Sequence, residues 1–409
     1  MHAAYCPCLP IDLQGKLCMR NVFVLGSAQF FGAFGQVTMV ILAGIVGAEL
    51  TPDPRFATLP VACAVLGLAG TTVPAALSMQ RFGRRPVFMA GMLFAACGTL
   101  LAAFSIQTRQ FWLFCAGTAM MGSNNAFVAQ FRFAAAESVP ESLTSRAIAW
   151  VMLGTVGAAV VAPQLLIAVR GWSDIEYVAS FVLLAAIYLL GAATLTGLRV
   201  PPPASSTVVD ARPRPFRQIA GQPAFTLAVM SAAIGYGTMA LIMTATPVNM
   251  HVVDGLSVES TALVIQGHVL AMYLPSLVSG WLVARLGISK MIIAGTLAET
   301  TCILIALSGR EVMHYGAALI ALGIGWNLMF VAGTTLLTRC YRPAERFRVQ
   351  AVNDFCIFGV MAAASLLAGV LINEAGWQWL NLIALGPLLV LLVVAGALRR
   401  IDALQRVLS

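Results

Sequence analysis

Charged residues are scarce in this sequence. Only 10% of its 409 residues are Asp, Glu, Lys or Arg, whereas an ordinary soluble domain carries about a quarter. Hydrophobic residues make up 60% of the chain, and the mean hydropathy is +0.89. A core surrounded by water cannot enclose so much apolar surface. The composition therefore excludes a soluble globular protein and indicates a chain whose solvent is lipid.

The sequence also lacks the patterns of enzymes, metal sites and nucleic-acid-binding domains. It contains no GxSxG nucleophile turn, no HExxH metal motif and no Walker loop for phosphate. Its nine cysteines are scattered, without the paired spacing of a zinc site. The net charge of +8 comes from short basic clusters between apolar runs, not from a basic domain. We therefore expect no enzyme activity, no metal, no cofactor and no nucleic-acid partner.

Long apolar runs fill most of the chain. A helix needs about 20 apolar residues to cross the hydrocarbon core, and twelve runs meet this requirement. They cover residues 22–47, 57–80, 86–106, 110–131, 145–169, 176–198, 223–249, 260–284, 290–308, 313–337, 348–372 and 377–398. Four prolines inside them are expected to bend their helices: Pro74, Pro163, Pro247 and Pro275. The predicted fold is an all-α membrane protein with twelve transmembrane helices.

One long polar connector, rich in Pro and Arg, divides the twelve runs into two sets of six. The predicted organisation is an N-terminal tail, a six-helix half, the connector, a second six-helix half and a C-terminal tail. The corresponding ranges are 1–21, 22–198, 199–222, 223–398 and 399–409.

The basic residues predict the orientation. If the N-terminal tail is cytoplasmic, 20 of the 24 Lys and Arg residues lie on the cytoplasmic side. The four on the other side are Arg55, Arg109, Arg170 and Arg310. Because basic loops stay on the cytoplasmic side, we expect both termini to be cytoplasmic.

The two halves repeat each other. Matched residues lie 203 or 204 positions apart, namely Arg81–Arg285, Gly83–Gly287, Gly122–Gly325, Asn124–Asn327 and Pro140–Pro343. Several matches at nearly one offset indicate a duplicated membrane protein with two like halves.

The turn after the second run resembles the signature of the major facilitator superfamily, Gly-x-Leu-Ala-Asp-Arg-x-Gly-Arg-Arg/Lys. Arg81, Gly83, Arg84 and Arg85 match this signature, whereas Gln80 stands where the family has its acid. The second copy, 280–290, has Ala284 at that place. The resemblance covers the whole chain and implies two pseudo-symmetric six-helix halves that alternate access to a central site. Short phrases such as 131–137 and 349–355 are similar to a poorly characterised bacterial group of permeases in this superfamily.

The missing acid affects the expected gate. In the resembled family the acid pairs with a base across the cytoplasmic seam, so a chain without it needs other partners there. Our candidates for gating are the signature-turn residues and the charged residues near the ends of spans 4 and 11. They are Gln80, Arg81, Arg84, Arg85, Arg132, Glu137, Arg285 and Asp354. The alternative is that these charges only reach lipid headgroups or water and fix the topology.

Ionisable side chains inside a span are costly and are therefore candidates for function. Three lie well inside the predicted spans: His268, Glu299 and Asp354. We interpret them as candidate proton carriers, since the reference pKa of histidine, about 6.5, suits proton loading. The alternative for each is a hydrogen bond to a neighbouring helix, and for Asp354 also a role in the gate.

Uncharged polar and aromatic residues are the candidates for binding the solute. In the resembled fold, spans 1, 4, 7 and 10 line the central cavity, and span 8 contributes His268 with its helical neighbours. The predicted binding residues are Gln29, Gln36, Asn124, Asn125, Tyr236, His268, Met272, Tyr273, Trp326 and Asn327. Amides and aromatic rings suit a neutral or amphipathic solute, including one with a ring. Each amide alone is also typical of contacts between membrane helices.

These features predict a monomeric secondary active transporter of a small organic solute in the bacterial inner membrane, with protons as the coupling ion. Drug-like efflux and metabolite transport both fit. The alternatives are an uptake permease for a vitamin-like or aromatic nutrient, and a sensor that has this fold but does not transport.

Overall fold

In a computed structural model of the chain, the described residues are 11–139, 143–199, 214–342 and 345–408, and they are almost entirely helical. The α-helices are α1 (Ile11–Leu50), α2 (Leu59–Phe82), α3 (Arg84–Gln107), α4 (Phe111–Glu137), α5 (Thr144–Val169), α6 (Val178–Leu195), α7 (Phe216–Ala220), α8 (Pro223–Pro247), α9 (Val258–Tyr273), α10 (Ser276–Leu286), α11 (Ile288–Ser308), α12 (Val312–Thr338), α13 (Arg346–Glu374) and α14 (Gly376–Leu408). A 3₁₀ turn covers Pro54–Phe56, and a π-helical turn covers Val248–Val253.

Within these ranges, eleven helical segments are long and apolar enough to cross a membrane. The remaining predicted span corresponds to α4, which is 27 residues long. Its run Gly122-Ser123-Asn124-Asn125 lowers the hydropathy in the middle of the helix, although Asn124 is buried by neighbouring helices. The predicted all-α membrane fold is confirmed.

The chain forms two compact units. The first holds the described residues up to Pro52 and those from Leu59 to the central connector. In it α1 packs against α4, α5 and α6, while α4 also packs against α2 and α3. A β-carbon at Gly67 would lie 2.0 Å from the Ala119 carbonyl oxygen, and one at Gly122 would lie 1.9 Å from that of Ala64. Glycine therefore lets α2 and α4 meet backbone to backbone.

The second unit holds Asp53–Thr58 and the residues after the connector. In it α8 packs against α12, α13 and α14, while α12 also packs against α9 and α11. Met291, Ile292, Met329 and Leu391 are fully buried where α11, α12 and α14 meet. The partners of α8, α9, α11 and α12 correspond one by one to those of α1, α2, α3 and α4, so the predicted duplication is confirmed.

The two copies of the signature turn have the same backbone conformation. Gly83 and Gly287 both have φ of 82°, and their N–H groups bond to the carbonyls of Met79 and Val283 at 3.0 Å. With ψ near 160°, this region of the backbone map is open only to glycine. The repeated pair Pro140 and Pro343 lies outside the described residues.

The predicted boundaries differ most from the structure in three places. Helix α1 begins at Ile11, inside the predicted tail, and α14 continues past residue 398. The eighth span is not one helix, because it is interrupted between Tyr273 and Ser276, next to Pro275. Residues 200–213 of the connector are outside the described residues, so the predicted domain boundaries stay a prediction.

Candidate functional site

Four aromatic rings of the second unit meet at one place, which we call the aromatic cluster: Tyr236 of α8, Tyr273 of α9, and Trp326 and Phe330 of α12. Trp326 and Phe330 are stacked, with ring centroids 5.2 Å apart and planes at 7°. The Tyr236 ring stands edge-on to both, at 5.1 and 5.6 Å. Tyr273 contacts Trp326 at 6.2 Å, also edge-on.

The exposure of these rings differs. Trp326 is 4% exposed, whereas Tyr236, Tyr273 and Phe330 are half-buried. Flat π faces beside hydroxyl groups are suited to stacking on a planar ring while hydrogen-bonding its polar edge. Three of the four residues were predicted from the sequence. Phe330 was missed, although its position four residues after Trp326 puts both on one helix face.

Glu299 of α11 lies behind this cluster, in the packing of α11 against α12 and α8. A β-carbon at Gly325, next to Trp326, would lie 2.7 Å from Cγ of Glu299, and one at Gly235, next to Tyr236, 3.6 Å from its Oε1. The side chain is fully buried, and its oxygens make no hydrogen bond with any described residue. The Thr238 hydroxyl is near it, outside hydrogen-bonding geometry. An acid in such a place is far more stable with a proton than without.

His268 and Asn327 tie α9 to α12. The His268 ring is fully buried, and its Nδ1 lies 2.7 Å from the Leu319 carbonyl oxygen. A carbonyl only accepts, so Nδ1 carries a proton; Nε2 is buried without a partner among the described residues. The Asn327 amide nitrogen donates to the Met272 carbonyl at 2.7 Å and to Ser276 Oγ at 2.5 Å. Both side chains thus make interhelical contacts.

The predicted binding residues of the first unit differ in burial and in their contacts. Gln29 of α1 donates to Thr155 Oγ1 of α5 at 2.8 Å, which is a contact between helices. Gln36 is exposed and Asn125 half-buried. Asn124 is fully buried, with the Tyr188 hydroxyl near it.

The predicted gating charges of the first unit are engaged locally. Arg84 pairs with Glu137 at 2.6 Å, joining the start of α3 to the end of α4. Arg81 and Arg132 lie over the rings of Phe82 and Phe133, and Arg85 is exposed. The side chain of Gln80 lies outside the described residues.

In the second unit, Arg285 lies over the Trp281 ring at 5.2 Å, and the Asp354 carboxylate accepts from the Asn353 amide at 3.2 Å. A buried ion pair nearby was not predicted. The Arg214 guanidinium donates two bonds to the Glu345 carboxylate, at 2.7 and 2.8 Å, and one to the Cys340 carbonyl, while the Arg214 backbone N–H donates a further bond to Glu345 at 2.8 Å. Glu345 is 3% exposed, and this hydrogen bonding from Arg214 lowers the pKa of its carboxyl group below the usual range.

Two units of membrane-length helices with corresponding internal packing define a multi-pass membrane protein built from two like halves. The sequence model of the Major Facilitator Superfamily matches residues 24–267 and 255–407. The chain belongs to this superfamily, and membership indicates a transporter rather than an enzyme.

Alignments with related proteins cover nearly the whole chain. The riboflavin transporter RfnT of Brucella anthropi is 40% identical over 382 residues, which are 93% of this chain and 96% of that protein. The MFS-type transporter YdeG of Bacillus subtilis is 29% identical over 399 residues, 94% of this chain and 92% of that one.

Solved structures give the same fold. The nucleoside transporter NupG has a TM-score of 0.71 at 14% identity, covering 93% of this chain and 99% of that one. A bacterial homolog of the human lysosomal transporter Spinster has a TM-score of 0.67 at 15% identity, covering 95% and 96%. At these identities the likeness shows the fold alone.

Proposed function

We propose that this chain takes up riboflavin, or a close relative with the same flavin ring, by alternating access. The observation that carries the proposal is the aromatic cluster, which brings four flat rings and two tyrosine hydroxyls together in one unit. The 40% identity with a riboflavin transporter over 93% of the chain supports the same solute. Of the functions predicted from the sequence, the proposed one is vitamin uptake and not drug-like efflux.

The chemistry of the solute suits the site. The flavin ring system is planar, neutral near pH 7 and apolar on its faces, with hydrogen-bonding groups on one edge. Stacking can therefore supply the binding energy, and the tyrosine hydroxyls beside the rings can bond the polar edge. The cluster itself consists of four uncharged side chains, which favours an uncharged vitamin over its phosphorylated form.

The proposal also includes the energy source of uptake and the membrane in which the protein lies. Protons drive uptake, and among the candidates His268, Glu299 and Asp354 we favour Glu299 as the carrier, because both oxygens of its buried carboxyl group lack a hydrogen bond to any described residue. A charged Glu299 without hydrogen bonds is costly in this packing, so its protonation is tied to rearrangement of α11 against α12. The protein is a monomer of the bacterial inner membrane with both termini cytoplasmic, as the distribution of basic residues favours.

Measurements of riboflavin binding test the proposed identity of the solute. Trp326→Ala should weaken riboflavin binding about tenfold, the change produced by about 1.4 kcal/mol of lost stacking. Trp326→Phe should keep most of the affinity, because a flat ring remains opposite Phe330. Equilibrium dialysis of purified protein measures both. Trp172→Ala removes an exposed loop indole and serves as the matched control.

The same assay can distinguish the contributions of the flavin ring and of the ribityl chain to riboflavin binding. Lumiflavin, which has the ring without the ribityl chain, should compete with riboflavin, whereas ribitol should not. Competition by ribitol alone, or equal binding by wild type and Trp326→Ala, would contradict the proposed mode of recognition.

Exchange and accumulation together test the proton carrier. Glu299→Gln should abolish accumulation driven by a pH gradient in proteoliposomes but keep exchange of labelled for unlabelled flavin, because a neutral amide cannot release a proton. Glu311→Gln, at the exposed start of α12, should keep both activities. Gradient-driven accumulation by Glu299→Gln at the wild-type rate would exclude Glu299 as the carrier.

A further inference from the structure

The eighth span is broken beside the aromatic cluster. α9 ends at Tyr273 and α10 begins at Ser276. Pro275 has no N–H, so the Ala271 carbonyl loses its usual partner four residues on. Across the break the backbone closes through tighter bonds, from the N–H of Leu277 to the Leu274 carbonyl and from that of Val278 to the Pro275 carbonyl, both at 3.1 Å. The span is therefore interrupted as a local kink, in which Leu274 and Pro275 keep right-handed helical dihedrals but the hydrogen bonds differ from those of a regular α-helix.

Asn327 of α12 reaches both sides of this break. Its amide nitrogen donates to the Met272 carbonyl, in the last turn of α9, at 2.7 Å. The same nitrogen donates to the hydroxyl of Ser276, the first residue of α10, at 2.5 Å. Both amide protons are thereby used, and the side chain is 1% exposed. One buried side chain of α12 therefore bonds to both sides of the break.

The residues next to these contacts belong to the aromatic cluster. Trp326 precedes Asn327 on α12, and Tyr273, the last residue of α9, contacts the Trp326 ring. Two adjacent residues of α12 therefore supply a ring of the aromatic cluster, Trp326, and the side chain that bonds to both sides of the break, Asn327. A change in the angle between α9 and α10 must move Tyr273 relative to Trp326 or break a bond of Asn327.

We infer that Asn327 is a positioning residue for transport: it bonds to the Met272 carbonyl and the Ser276 hydroxyl, on either side of the Pro275 break, and couples the bend of the eighth span to the aromatic cluster. Asn327 need not touch the solute in this role. The transport part of the inference uses riboflavin as the solute and so rests on the proposed function, whereas the hydrogen-bonding part does not.

A double-mutant cycle on thermal unfolding tests the hydrogen-bonding part without any solute. Asn327→Leu should lower the unfolding midpoint by about 4 °C, since it removes both hydrogen bonds donated by the buried Asn327 amide. Pro275→Ala restores an N–H and lets α9 continue into α10, so in that background the loss should shrink to about half or less. Equal losses in both backgrounds would overturn the inference.

Asn381 provides the matched control. It is a fully buried Asn of the same unit, and its amide donates to the Trp377 carbonyl of its own helix at 2.9 Å. Asn381→Leu should cost the same in the wild-type background and in the Pro275→Ala background. If Asn327→Leu does not accumulate as folded protein, Ser276→Ala removes one of the two contacts and should show a smaller loss with the same dependence on Pro275.

Kinetics separate positioning from binding. For Asn327→Leu we expect a riboflavin Kd within about twofold of wild type, but an uptake rate per flavin-binding protein about tenfold lower. A merely structural role would reduce the number of binding proteins and leave their turnover unchanged. That result, or a Kd raised in proportion to the loss of uptake, would contradict a positioning role. If wild type does not take up riboflavin, the proposed function fails while the result of the unfolding cycle still stands.

Discussion

At the scale of single residues, backbone conformation explains why both signature turns keep a glycine. A β-carbon at Gly83 or Gly287 would have no atom within 4 Å, so space does not require glycine at either place. The positive φ does, because residues with a β-carbon rarely adopt that conformation. The glycines of the signature were recognisable in the sequence, but their conformation was visible only in the structure.

Replacement of Gly83 by alanine therefore isolates backbone strain. Gly83→Ala should lower the free energy of unfolding by about 1–3 kcal/mol, the cost of holding a residue in this sparsely populated region. Gly70→Ala, in the interior of α2 with equally open space, should be neutral or stabilising, since alanine favours a helix. Thermal unfolding in detergent compares the two. Equal effects would show that the turn tolerates a β-carbon by changing its φ.

Buried polar residues mark the limit of what the sequence predicted about the site. Tyr236, Tyr273 and Trp326 were expected to face one solute, and the structure brings them together. Asn124 has the same residue type as Asn327 at the repeated position, yet it lies in different surroundings. An amide bonds equally well to a solute or to a helix. Residue type and spacing alone could not decide between those roles.

At the scale of elements, the apolar runs were sufficient to predict the helices, because a span needs length and hydropathy more than any motif. The sequence was less informative where a helix stops inside the membrane. Pro275 was expected to bend its span, and the structure interrupts the regular helix there, between Tyr273 and Ser276, while Leu274 and Pro275 keep right-handed helical dihedrals. The contacts of Asn327 with both sides of this interruption are tertiary, so the sequence could not predict them.

The loop before α13 is held by an ion pair that makes its stability depend on pH. Hydrogen bonds from Arg214 lower the pKa of Glu345, so the charged form stabilises the folded state. This stabilisation is complete above the pKa of an unfolded glutamate, about 4.3, and is lost as the pH falls toward the lower folded pKa.

The unfolding midpoint of Glu345→Gln should therefore lie below that of wild type at pH 7, and the difference should narrow below about pH 4. Glu137→Gln, which alters a more exposed pair with Arg84, should show a smaller difference at every pH. A gap between wild type and Glu345→Gln that stays constant from pH 7 to pH 3 would contradict the role given to the Arg214–Glu345 pair.

At the scale of the whole molecule, composition and repetition carried most of what the sequence could establish. Scarce charge excluded a soluble fold, and matched residues 203 or 204 positions apart predicted two like halves, which the repeated helix packing confirms. The solute could not be predicted in the same way. It depends on how three helices place a few rings, and Phe330 completes that cluster without a distinguishing motif.

Riboflavin uptake into proteoliposomes tests the central claim most directly. The account predicts saturable uptake above that of protein-free vesicles, increased by a pH gradient that drives protons inward with the solute. Below saturation, Trp326→Ala should reduce it about tenfold. Wild-type protein that binds riboflavin but gives the flux of empty vesicles would contradict transport and indicate a sensor with this fold.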